Sequence, residues 1–139
     1  LKLMRKPPYD LFLKFKKLFD KISESAGLKQ QIVPYFISSH PGSELDDMAE
    51  LAVETAEEGF RLEQVQDFTP TPMTLSSVIY YCGFNPYTGE TVYSAKSKKD
   101  RDEQRSFFFW YKGEYRERIK SLLRRIGRED LINKLLKKN

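Results

Sequence analysis

Cysteine and histidine are almost absent from this 139-residue chain, which carries one of each, Cys82 and His40. A single thiol excludes an internal disulfide and any site built on several thiolates. A single imidazole excludes a multi-histidine centre. A reducing cytosol is the simplest compartment for this composition, so a cytoplasmic location is expected. Long hydrophobic runs are absent too. No apolar stretch approaches the ~20 residues that a bilayer span requires, and no membrane contact is expected. The opening Leu1-Lys-Leu-Met-Arg-Lys6 leads into a helical pattern rather than a cleavage site, so no secretory leader is expected. The chain starts at Leu1 rather than Met, and further sequence upstream is expected.

Basic residues are also scarce where acidic ones gather. Residues 30–95 hold only Arg61 against 10 carboxylates, while residues 1–29 are net +5 and residues 96–139 net +8. Either the acidic middle pairs internally with the basic ends, or the basic tail meets a polyanion. What the chain does have is 40% hydrophobic, 14% aromatic and 32% charged residues, a composition suited to a soluble globular domain with a real core.

The central stretch is residues 31–45. An apolar run, Ile32 to Ile37, precedes Pro41-Gly42 and an acidic helix start at Ser43-Glu44-Leu45-Asp46. The run is too continuously apolar for a one-sided strand and suits one covered on both faces. Pro34 opposes this locally, because it cannot donate to a ladder: either the strand starts after it or it lies at an edge. Residues 45–58 carry Leu45, Met48, Ala49, Ala52, Val53 and Ala56 on one helical face, and Gly59 stops the helix. Residues 61–72 repeat the strand-and-turn arrangement, giving a βαβ unit.

Before this unit, Pro7-Pro8 opens a helix with a stripe at Leu11, Phe15, Leu18, Phe19 and Ile22 that ends near Gly27. After it, Thr74 caps a short helix over residues 75–82, with Cys82 on its apolar face. Residues 85–90 are a turn. Ser97 caps a helix expected to reach about Trp110. Two further helices are expected over residues 114–126 and 128–137.

Ligands in open or barrel α/β folds sit at the C-terminal ends of strands. The turn Ser38-Ser39-His40-Pro41-Gly42-Ser43 is therefore the best candidate contact, although an ordinary βα turn needs the same residues. His40 is read as structural rather than as a general base, since no local partner activates it. Cys82 is read as a buried small hydrophobe. Glu63 and Asp67, four apart on an expected strand, share a face and suit a polar ligand or plain solvation. The cluster Phe107-Phe-Phe-Trp-Tyr111, beside Arg101, Arg105 and Lys112, has the chemistry to stack on RNA bases. Consecutive aromatics on a helix point all round it, however, which favours core. Arg124, Arg125 and Arg128 either touch phosphates or form the wet face of a terminal helix.

Several stretches together resemble the C-terminal part of YgiQ-type radical S-adenosylmethionine proteins. These are residues 1–7, Pro34-Tyr-Phe-Ile-Ser-Ser-His-Pro-Gly42, Leu62-Glu-Gln-Val-Gln-Asp-Phe-Thr-Pro-Thr-Pro72, Tyr80-Tyr-Cys-Gly83 with Asn85-Pro86, and Leu123-Arg-Arg-Ile-Gly127. The resemblance implies an α/β fold, with residues 1–72 as later units of a parallel (β/α) barrel and residues 73–139 as a mostly helical appendix. It implies S-adenosylmethionine and a [4Fe–4S] cluster in the full protein, the cluster residing on a missing N-terminal part. It also aligns Tyr35-Phe-Ile-Ser-Ser39 with a Gly-x-Ile-x-Gly strand that passes the adenine. Ile37 is then the apolar contact, Ser39 replaces a glycine, Pro41 and Gly42 form the following turn, and Gln66 to Phe68 make a second wall. The expected function is a fragment of a radical-SAM enzyme, inactive alone. The alternatives are an RNA-binding module on the basic tail and a protein-docking surface.

Overall fold

Pro34 decides where the first strand begins. Having no N–H, it keeps residues 31–35 out of the ladder, and β1 is only Phe36–Ser38. In the computed structural model, which describes residues 1–136, β1 pairs in parallel with β2, Val65–Asp67. Phe36 lies opposite Val65, Ile37 opposite Gln66 and Ser38 opposite Asp67. The crossover is α2, Leu45–Glu57. Glu63, expected to share a strand face with Asp67, lies before β2 and outside the ladder.

The chain forms two compact units, Leu1–Pro34 and the part from Tyr35 onward. The first is built on α1, Tyr9–Ser25, which follows Pro8 and ends before Gly27 in the left-handed region at φ 66°. Within it Phe15 and Phe19 approach to 6.1 Å, and Lys16 pairs with Asp20 at 3.0 Å. Leu11, Phe15, Leu18 and Ile22 are each more than half exposed.

In the second unit α2 begins at Leu45, within the acidic stretch expected to start it. Glu44 is the N-cap, and its N–H donates to the Asp47 carboxylate at 2.7 Å. The Ser43 carbonyl is engaged elsewhere, by the Gln104 side chain. Next comes α3, Leu75–Cys82, capped by Thr74 and closed by Gly83 at φ 75°. Only Ser77 and Ile79 of α3 are buried. Cys82, the last residue of α3, is exposed, contrary to expectation. The 85–90 turn closes a small hairpin through an isolated bridge between Phe84 and Thr91.

The next helix, α4, is Lys98–Ser106, capped by the Ser97 hydroxyl. It does not continue to Trp110: the chain tightens into a 3-10 turn at Phe107–Phe109, and all three rings are buried. Phe108 meets Phe36 of β1 at 5.8 Å and Phe109 meets Tyr115 at 5.4 Å, so the rings fill space on several sides at once. The core then closes with α5, Arg116–Arg125, through Ile119, Leu122 and Leu123, and α6, Asp130–Leu136, through Leu131, Leu135 and Leu136. Lys137, the expected end of this helix, lies outside the described residues.

Across this core Arg125 grips Glu103 with two guanidinium hydrogen bonds of 3.0 and 2.5 Å. Those bonds hold the mostly buried Glu103 carboxyl below the usual carboxylate range, against the opposing effect of burial. A depressed acid stabilises the fold above its ordinary value near 4.5, and that stability is lost as pH falls through the lower native value. Urea unfolding from pH 7 to pH 3 should show this loss in the native protein and a reduced loss in Glu103→Gln, which should also be about 1–2 kcal/mol less stable at neutral pH. Equal pH slopes for the two proteins would refute it. Phe107→Ala should cost about 3–5 kcal/mol in the same measurement, and a cost below 1 kcal/mol would remove it from the core.

Candidate functional site

The end of β1 enters a tightly enclosed turn. Ser38, Ser39 and His40 are 0%, 1% and 8% exposed, and Pro41 is fully buried. Ser39 takes φ 61°, the left-handed region that costs a non-glycine residue about 1–2 kcal/mol. Glycine adopts that conformation freely, whereas a serine is held in it by its surroundings. Gly42, at φ 81°, completes the turn and donates its N–H to the Tyr93 carbonyl at 2.8 Å.

His40 is the pivot. Its Nδ1 lies 2.8 Å from the Pro41 carbonyl, which can only accept, so in the neutral ring Nδ1 carries the hydrogen. Nε2 then accepts from the Ser76 hydroxyl at 2.8 Å. The ring edge rests against Phe68 at 5.1 Å, Phe68 against Tyr80 at 5.6 Å, and Lys96 Nζ sits 5.6 Å from the Tyr80 ring. The residues expected from the two strand ends, Ser39, Pro41, Gly42 and Phe68, are thus brought together. Phe68 is also tied directly, donating its N–H to the Ser38 carbonyl at 2.7 Å.

Ile37 and Gln66 sit opposite one another and project to one face of the pair, while Ser38 and Asp67 project to the other. Ile37 is half-buried, and the Gln66 side-chain oxygen accepts from the Tyr35 hydroxyl. On the second face Asp67 Oδ2 lies 3.7 Å from the Arg105 guanidinium. Asp67 Oδ1 is buried and receives no hydrogen bond among the described residues. Sequence reasoning missed Ser76, Tyr80 and Arg105 as neighbours of this site. Ser76 is 36 positions from His40, and no local spacing could have linked them.

The three tail arginines are not brought to the strand ends as a group. Arg125 holds Glu103, and Arg128 reaches Asp46, Glu50 at 3.1 Å and Asp130 at 3.3 Å. Arg124 is exposed in the last turn of α5. A phosphate taking Arg125 or Arg128 would first have to displace carboxylates of the same chain. The aromatic cluster beside Lys112 is likewise committed to the core, with Lys112 Nζ 4.5 Å from the Phe109 ring. Among the described residues no group of three or more His, Cys, Asp or Glu side chains is arranged to hold a metal ion, and no helix is long and apolar enough to cross a membrane.

The relatives that match this chain over nearly its whole length are named UPF0313 proteins. The chain is 58% identical over 135 residues to a UPF0313 protein of Bacteroides thetaiotaomicron, an alignment covering 97% of this chain and 22% of that protein. It is 42% identical over 134 residues to a UPF0313 protein of Geobacter sulfurreducens, covering 96% and 22%. It is 40% identical over 129 residues to one from Methanosarcina mazei, covering 93% and 21%. The chain therefore spans about a fifth of the length of the curated relatives it matches. No solved structure matches it. Residues 63–137, more than half of the chain and including β2, Ser76, Tyr93 and Gln104, match a family model described as a domain of unknown function, and the chain belongs to that family, DUF3362.

Proposed function

We propose that this chain is a segment of a radical S-adenosylmethionine iron–sulfur enzyme, that it contributes part of the wall binding S-adenosylmethionine, and that it is inactive by itself. The observation that carries this reading is the parallel register of β1 and β2. It aligns Ile37 and Ser38 with Gln66 and Asp67 and directs both strand ends to the same side, the side where α/β folds place ligands. The left-handed backbone at Ser39 supports it, since the resembled strand has glycine there.

The residues present fit S-adenosylmethionine in part. Ile37 offers an apolar face for the adenine. The buried Asp67 Oδ1, which has no donor among the described residues, lies on the opposite face of the strand pair and is no part of that contact. They do not fit the cluster. Cys82 is the single thiol, and it is exposed on α3. The cluster and the remaining wall would come from the longer protein, whose relatives are about five times the length of this chain. The cofactor, when bound, would supply the radical, while this chain's residues would hold the adenine end and exclude water.

The direct test titrates S-adenosylmethionine into the full-length, cluster-loaded protein. Ile37→Asp should weaken binding tenfold or more, since a carboxylate would face the adenine, and tenfold corresponds to about 1.4 kcal/mol. Ile37→Ala, which keeps the strand apolar, should give a smaller loss. Unchanged affinity in both variants would refute the assigned contact.

A further inference from the structure

We infer that the DUF3362 region acts as a clamp that sets the conformation of the turn at residues 39–43, with Ser76 and Gln104 as its positioning residues. What the turn does for a cofactor rests on the reading above, whereas the clamp itself rests on geometry alone. Three separate elements reach the turn. Ser76, on α3, bonds His40 Nε2 at 2.8 Å. The Tyr93 carbonyl, on the segment that follows the Phe84–Thr91 bridge, accepts from Gly42 at 2.8 Å. Gln104, on α4, donates Nε2–H to the Ser43 carbonyl at 2.6 Å. All three residues lie within the matched family region.

The turn needs such support. Its own hydrogen bonds are the Ser43 N–H to the His40 carbonyl at 3.0 Å, the His40 ring to the Pro41 carbonyl, and the Ser38 and Ser39 hydroxyls to one another at 3.2 Å. All of these are local to the turn, and none ties it to another element. A strained residue persists only where its surroundings over-determine it. The clamp is itself rigid, because the start of α3 is locked. Ser77 and Thr74 hydroxyls donate to the Thr71 carbonyl at 2.6 and 2.9 Å, and the Thr74 hydroxyl lies 2.8 Å from that of Ser77.

Gln104 shows that the contact is specific. It is 1% exposed, so an aliphatic side chain would suit its place in the core. Its amide instead makes the bond to Ser43, while Oε1 receives none among the described residues. A buried amide kept at that cost serves the group it touches.

The test uses the full-length, cluster-loaded protein and the variants Ser76→Ala, Gln104→Met, their combination, and Ser76→Thr, which keeps the hydroxyl. Amide exchange at Gly42 and Ser43 is read against Leu123 in the core, together with affinity for S-adenosylmethionine. The double variant should exchange at Gly42 and Ser43 about tenfold faster with Leu123 unchanged, and should bind S-adenosylmethionine about 5–20-fold more weakly, a range typical of coupling between sites. Ser76→Thr should stay close to the native protein in both. Unchanged exchange at the turn overturns the clamp, as does equal acceleration at Leu123. Faster exchange at the turn with undiminished affinity overturns its role in positioning the cofactor wall. If the native protein binds no S-adenosylmethionine, the enzyme reading fails, and exchange alone decides the clamp.

Discussion

A parallel ladder of three residues per strand cannot hold itself together in water, and everything at the candidate site depends on what is packed against it. The support is the aromatic 3-10 turn, Phe107–Phe109. Phe108 bears on Phe36 of β1, and the same buried cluster joins Met48, Ala49 and Ala52 of α2 to Leu62, Val65 and the apolar faces of α5 and α6. The Tyr111 hydroxyl adds a polar tie to the Leu62 carbonyl at 2.7 Å, just ahead of β2. The short strands are thus held in place by a helical core rather than by a sheet with its own stability.

Electrostatics follows the same arrangement. The acidic middle and the basic tail meet inside the fold: Arg128 bridges to Asp46 and Glu50 near the start of α2, and Arg105 lies beside Asp67 at the end of β2. The carboxylates in the first turn of α2 favour the positive helix end, and Arg128 tempers their mutual repulsion. Farther along, burial and the neighbours Glu50 and Glu57 push the Glu54 carboxyl upward. Exposed pairs of this kind contribute little individually, so their main effect is to orient α6 on α2.

Much of this was legible in the residues, and the misses have physical causes. Thr74, Gly83 and Ser97 carry local cap chemistry, and α3 has the bounds that chemistry implies. The burial of Phe107–Phe109 follows from aromatics too numerous for one helical face. The strand beginning at Phe36 rather than residue 31 turns on the missing N–H of Pro34. Glu44 caps α2, while the Ser43 carbonyl before it is bonded by Gln104, a contact across 61 positions. Cys82 was misplaced because periodicity gives a face but not which of its edges meets the core. The site's own pairings, His40 with Ser76 and Asp67 with Arg105, join residues far apart in the chain, and no short-range pattern encodes them.

The dependence of the strand ends on the helical core is tested most directly by native-state hydrogen exchange across increasing denaturant. The Phe68 amide, bonded to the Ser38 carbonyl, reports the strand ends, and the Leu123 amide reports the core. If the core alone holds the ladder, both should open with the same free energy and the same denaturant dependence, as one cooperative unit. A Phe68 amide that exchanges through a small, denaturant-independent opening while Leu123 stays protected would show that the strand ends move freely of the core, and would contradict the dependence.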